Sequence, residues 1–124
     1  MIAEKFIKNK DNKEFILDMY TRHDELKEQM SRKNIYEFKE GIDNKGPEFI
    51  PTCKMIKGRG EDKYWKTGKL DQRIPSWCDR ILYNNFGKDK ELIKCVNYDR
   101  FDYGEAMKKS DHAAVISIFE ISQH

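Results

Sequence analysis

An acid and an imidazole are the side chains of this sequence with the clearest chemical use. Asp79 follows Trp77-Cys78 and precedes Arg80, while His112 closes the run Ser110-Asp111-His112. Each stands where a loop gives way to an apolar run, a position that places a polar side chain at the rim of a sheet. A carboxylate hydrogen-bonded to an imidazole fixes its tautomer and favours its cationic form, which suits contact with an anionic group. An Asp-Arg pair beside a tryptophan, taken alone, more often makes a structural salt bridge. Spacing by itself therefore makes Asp79 and His112 candidates and no more.

The elements around them must supply the positioning. Pro75 fixes its own backbone and Trp77 offers a large surface to bury, so they read as a rigid turn ahead of a short strand, Arg80-Ile81-Leu82-Tyr83. Downstream, 92–98 reads as a strand and 99–109 as a loop. Residues 113–121 form a nearly unbroken apolar run, as expected of an internal strand covered on both faces. Upstream, 1–9 and 11–31 read as helical. Asp11 with Glu14 three residues on is the expected cap of the second helix. Ile16, Met19, Tyr20 and His23 then recur at helical spacing, with a break near Thr21 before Leu26 and Met30. His23 is expected to be a packing or surface residue, not a ligand. Residues 31–48 read as a polar loop broken by Gly41, Asn44, Gly46 and Pro47, followed by a brief extended piece at Phe49-Ile50.

Composition narrows the class. The 124 residues suit one domain, but 38% hydrophobic against 37% charged residues and a mean hydropathy of −0.91 leave a thin core. No apolar run approaches the roughly 18 residues of a membrane span, and the first five residues lack the apolar core of a secretory signal. Cys53, Cys78 and Cys95 are odd in number and lack metal-site spacing, so they read as reduced thiols of an intracellular protein. A net charge of +2 is too small to argue for nucleic acid. Its distribution says more: Lys54 to Arg73 carries seven basic residues against three acids. That local positive field beside the central motif suits a multiply phosphorylated ligand. Gly58, Gly60 and Gly68 make the same segment a loop, and it lacks the Gly-Lys-Ser/Thr ending of a Walker loop.

Several of these stretches carry a resemblance. Pro75-Ser76-Trp77-Cys78-Asp79-Arg80-Ile81-Leu82 resembles the signature of the inositol polyphosphate 5-phosphatases, and Ser110-Asp111-His112 a second signature of that family. Phe49-Ile50-Pro51-Thr52-Cys53-Lys54 resembles a third block and Asp24-Glu25-Leu26 a fourth. They occur in family order. The resemblance implies an α/β fold: the C-terminal portion of a deoxyribonuclease I-like four-layer α/β sandwich, helices plus one mainly antiparallel or mixed β-sheet. Residues 1–124 would be the C-terminal part of a catalytic domain whose N-terminal half is absent.

What the resemblance implies for the site is specific. His112 would contact the scissile phosphate with Asp79 as its partner, and Asp111 would lie near Mg²⁺ or its water shell, the cofactor of the complete domain. Lys54 would hold a substrate phosphate, helped by Lys69 and by Arg73, the arginine ahead of the central motif. Pro75, Trp77 and Arg80 would be structural, Arg80 as an ion pair. Departures are visible. Cys53 stands where the family has an aromatic residue, and a thiol is a weaker donor than a phenol. Ala113-Ala114-Val115 replaces a basic residue, Pro and Val, and Asp71 sits where a lysine is usual, leaving Lys69 as its stand-in.

The implied function is Mg-dependent hydrolysis of the 5-phosphate of inositol polyphosphates or phosphoinositides. The family's upstream metal-binding glutamate and Gly-Asp-Leu-Asn block do not occur in this sequence. The isolated chain is therefore expected to be inactive, and to be weakly stable, oligomeric or completed by another chain. The expected location is the cytoplasm, with peripheral membrane contact. A non-catalytic phosphoinositide- or partner-binding remnant is the alternative. A nuclease of the same superfold is a third reading, opposed by the scarcity of basic charge outside one loop; nucleic acid is not an expected partner.

Overall fold

The computed structural model describes residues 2–32, 37–57, 64, 74–85 and 92–122. Lys69 and Arg73, with the rest of the basic segment after Lys57 apart from Tyr64, lie outside them. Helix α1 (Ile2–Lys8) buries Ala3 and Phe6, one helical turn apart. Helix α2 (Lys13–His23) buries Ile16, Met19 and Tyr20, and leaves His23 exposed. Its cap is Asn12 rather than the Asp11 expected from sequence: the Asn12 side chain accepts from Phe15 N at 3.1 Å. Asn12 stands at the N-cap itself, one position nearer the first turn, so its side-chain oxygen reaches the orphan donor.

The break in the helical run falls at Asp24. Its backbone closes α2 on Tyr20 O, and its side chain caps α3 (Glu25–Ser31) by accepting from Lys27 N at 2.8 Å. Two short strands, β1 (Lys39–Glu40) and β2 (Leu82–Tyr83), pair antiparallel, with a 3₁₀ turn at Ile42–Asn44 after β1. Gly41 and Gly46 are required there. Both have positive φ, and a Cβ on Gly46 would lie 2.3 Å from the Tyr20 ring.

A second antiparallel pair joins β3 (Ile93–Phe101) to β4 (Ala114–Ile121), running from Ile93↔Ile121 to Phe101↔Ala114 with a bulge at Val96. β3 is longer than the strand read from sequence, and the loop after it holds a short helix, α4 (Glu105–Lys108). β4 is covered on one face only. Phe119 packs on Tyr83 with ring centroids 5.2 Å apart, whereas Ile116 and Ile118 are 46% and 53% exposed. The unbroken apolar run suggested two covered faces; antiparallel pairing with a single neighbouring layer leaves the other side to solvent.

The core lies between α1, α2 and the segments that carry the candidate residues. Phe6, Phe15, Tyr20 and Trp77 meet edge to face, with Phe6–Trp77 and Tyr20–Trp77 centroids at 5.7 and 5.8 Å. Trp77 also donates from Nε1 to Phe49 O at 2.8 Å. This one indole anchors the turn ahead of Asp79 to both the helical layer and the extended segment before Lys54.

Candidate functional site

Three chain segments come together around Cys53. Its backbone bridges Ser76 on one side and His112 on the other. Ser76 N donates to Cys53 O at 2.9 Å, Ala113 N to Thr52 O at 2.8 Å, and Met55 N to Asp111 O at 2.6 Å. This short ladder holds the Pro51–Met55 segment between the Asp79 turn and the Ser-Asp-His run.

The side chains follow from that register. His112 Nδ1 lies 2.6 Å from Asp79 Oδ2, and Thr52 Oγ1 donates to the same oxygen at 3.4 Å. Asp111 Oδ1 is 3.8 Å from His112 Nε2, and Asp111 Oδ2 is 3.8 Å from Lys54 Nζ. All four ionisable groups are candidates from the sequence, and the fold places them in one chain of contacts: Asp79, His112, Asp111, Lys54. Each is a little over one-third to under one-half exposed, so the group faces solvent. Nδ1 is engaged by Asp79, and Nε2 lies on the Asp111 side. A cleft of about 380 Å³ opens beside Asp79 and His112, walled by Met107, Ser110 and Val115.

Arg80 also lines that cleft, and its guanidinium is held in a second polar network. Its Nε and one terminal nitrogen donate to the two oxygens of Glu40, both at 2.6 Å, and the other terminal nitrogen to Asp24 at 2.9 and 3.0 Å. Glu40 is fully buried and also accepts from Tyr20 at 3.0 Å and Tyr98 at 2.5 Å. Burial alone would lower the Arg80 guanidinium, but the hydrogen bonds it donates to Glu40 and Asp24 outweigh it and keep the charge. Burial first, then the Glu40 carboxylate, pushes the Tyr20 and Tyr98 hydroxyls well above the ordinary phenol range. Glu40 and Thr52 were not picked out from sequence. Glu40 lay in a stretch read as polar loop, and no periodicity marks a carboxylate that is about to be buried.

Cys53 and Cys78 are paired as a disulfide with Cα atoms 6.4 Å apart, which corrects the reading of reduced thiols. The ladder that joins Cys53 to Ser76 brings Cys78 within reach, a proximity that cysteine count could not reveal. Cys95 remains free and buried. Among the described residues, no three of His, Cys, Asp and Glu converge as a metal site. Asp79 and Asp111 could each offer an oxygen to Mg²⁺, but the described residues do not by themselves form the oxygen cage that ion takes.

Residues 3–118 match the family model described as endonuclease/exonuclease/phosphatase family 2. The chain belongs to that family. The mixed α/β arrangement, with helices and antiparallel strands, is that of a fragment of the endonuclease/exonuclease/phosphatase domain, consistent with the deoxyribonuclease I-like fold. Its relatives are inositol polyphosphate 5-phosphatases. The type II inositol 1,4,5-trisphosphate 5-phosphatase of Mus musculus is 34% identical over 99 residues, covering 80% of this chain and 8% of the relative. The phosphatidylinositol polyphosphate 5-phosphatase type IV of the same species is 30% identical over 119 residues, covering 96% and 16%. A type I inositol polyphosphate 5-phosphatase of Arabidopsis thaliana is 32% identical over 97 residues, covering 78% and 14%. The chain thus spans between 8% and 16% of the length of these relatives. No helix among the described residues is long and apolar enough to cross a membrane.

Proposed function

We propose that this chain carries the phosphate-contacting half of an inositol polyphosphate 5-phosphatase site, acting on inositol polyphosphates or phosphoinositides. The observation that carries the reading is the 2.6 Å contact between Asp79 and His112, made in a chain whose relatives are named as 5-phosphatases. Phosphoryl transfer asks mainly for positioning and charge stabilisation. His112, its tautomer fixed by Asp79, would donate from Nε2 to a phosphate oxygen. Lys54 would leave Asp111 for a second phosphate, since an exposed pair at 3.8 Å is worth only about 0–1 kcal/mol.

Mg²⁺ dependence belongs to the same proposal; bound beside Asp111, the ion would neutralise phosphate charge. So does inactivity of the isolated chain, since donors for the metal and a group to orient water must come from elsewhere. Completion by another chain or a second copy over the exposed Ile116 and Ile118 face, and a cytoplasmic location with peripheral membrane contact, complete the reading.

The test is titration of the chain with inositol 1,4,5-trisphosphate, with and without Mg²⁺ or chelator, following both His112 ring resonances and phosphate release. Ligand-dependent shifts at His112, lost in Lys54→Ala, are expected without turnover. Robust turnover would refute the inactivity of the chain alone. Neither shifts nor turnover at millimolar ligand would refute the site.

A further inference from the structure

The two cysteines that flank the site carry a chemistry of their own. Cys53 stands immediately before Lys54, and Cys78 immediately before Asp79. Twenty-five positions apart in sequence, they are joined across the ladder that builds the site. Their surroundings differ. Cys53 is 6% exposed and held on both sides by backbone bridges, whereas Cys78 is exposed. The Ser76 hydroxyl lies 3.0 Å from the Cys78 sulfur and 3.5 Å from that of Cys53, within hydrogen-bond reach of either. Cys95 offers no such entry. It is buried, and its sulfur contacts Asn97 O at 3.3 Å and Ser117 Oγ at 3.4 Å.

We propose that Cys53 and Cys78 form a thiol–disulfide exchange site, loaded through Cys78 by a small-molecule disulfide, whose closure ties the Lys54 segment to the Asp79 turn. In the first step the Cys78 thiolate attacks one sulfur of the small disulfide. A Cys78 mixed disulfide forms and one small thiolate leaves. In the second, the Cys53 thiolate attacks the Cys78 sulfur, the intramolecular bond forms and the second thiolate leaves. Two cysteine thiols have then lost two electrons and two protons, and the small disulfide has become two thiols. Cys78, the exposed residue of the pair, is attacked or attacks first because access, as well as thiolate fraction, governs the rate. The Ser76 hydroxyl can hydrogen-bond whichever sulfur carries the charge.

Opening the bond does not dismantle the ladder, since the two backbone hydrogen bonds between Cys53 and Ser76 do not depend on it. What it releases is the direct link between the residue before Lys54 and the residue before Asp79. The reduced chain therefore stays folded with a looser relation between these two segments, and that loosening is read at His112, which touches Asp79.

The experiment treats the full chain with oxidised glutathione or with dithiothreitol, unfolds it, alkylates free thiols and weighs the intact protein. One alkyl group, on Cys95, is expected after oxidation and three after reduction, the full cysteine count. Cys53→Ser is expected to trap glutathione on Cys78, about tenfold faster than Cys78→Ser collects it on Cys53. The His112 ring resonances of the wild-type chain should move on reduction and return on reoxidation. Three alkyl groups after oxidation would overturn the proposal, as would a persistent glutathione adduct on the wild-type chain. Unmoved His112 resonances would overturn its second half. If Cys53→Ser does not fold, the wild-type mass and resonances still decide. None of these readouts needs the chain to be a phosphatase.

Discussion

The carboxylate of Asp79 and the imidazole of His112 meet at 2.6 Å across 33 residues of sequence, because Cys53 bridges the backbone of both segments. The contact is a product of the ladder, not of either motif alone. Its first consequence concerns the imidazole tautomer. Asp79 is acceptor-only when ionised, so His112 must present a proton at Nδ1. In Asp79→Asn that constraint is lost, because an amide can donate as well as accept. Nitrogen-15 NMR of His112 should show the Nδ1–H form dominant in the wild-type chain and a mixed or reversed population in the variant. With both side chains more than a third exposed, Tm should fall by no more than a few degrees. An unchanged tautomer ratio would mean that the contact does not orient the ring.

Glu40 holds the other end of the same turn. Its fully buried carboxylate takes two hydrogen bonds from Arg80, and Arg80 also reaches back to Trp77 O at 3.3 Å. Removing the acid leaves a buried guanidinium with Asp24 as its one carboxylate partner among the described residues. Glu40→Ala should therefore cost about 3–5 kcal/mol, and Glu40→Gln, which keeps the shape, about 1–3 kcal/mol. Urea unfolding followed by tryptophan fluorescence measures both, since Trp77 sits at the centre of the affected layer. Equal and small losses would show that Asp24 alone suffices to hold Arg80.

How much of this was legible beforehand depends on whether a residue announces itself locally. Asp79, Asp111, His112 and Lys54 lie in short motifs, and the sequence was enough to mark them. Trp77 could be read as buried because nothing else in its turn is large and apolar. Glu40 could not, because its burial is decided by Arg80, Tyr20 and Tyr98, which come from three distant parts of the chain. The Cys53–Cys78 pairing failed for the same reason: it depends on a bridge between segments that sequence spacing does not show. The single covered face of β4 was misread because Ile and Val fill an apolar run whether or not a second layer is present.

Gly46 gives a sharper test of the loop that wraps Glu40. At φ +80° it donates to Glu40 O at 2.8 Å, with the Tyr20 ring directly over the place a Cβ would occupy. Gly46→Ala must bear both the left-handed conformation and the displacement of a buried ring, so a loss of about 1–3 kcal/mol is expected. Because Tyr20 is displaced, its hydrogen bond to Glu40 should weaken too, and Gly46→Ala with Tyr20→Phe should be less destabilising than the sum of the two. A double-mutant cycle in urea provides the comparison; strict additivity would separate the glycine from the network.

The buried phenols make stability fall on the alkaline side. Tyr20 and Tyr98 have folded-state values raised above the ordinary 10.0, by burial first and by the Glu40 carboxylate next. A raised value means that the folded chain holds a proton the unfolded chain gives up. Their contribution is therefore complete below pH 10, the unfolded value, and is lost progressively as pH climbs toward the folded values. Above pH 10 each tyrosine should remove about 1.4 kcal/mol of stability per pH unit. Urea midpoints measured from pH 8 to 11 should be level until near 10 and then drop, and Tyr98→Phe should flatten about half of that drop. Absorbance at 295 nm offers an independent reading: these two phenols should ionise only together with unfolding. Early ionisation in the folded chain would mean that Glu40 does not hold them in the protonated state.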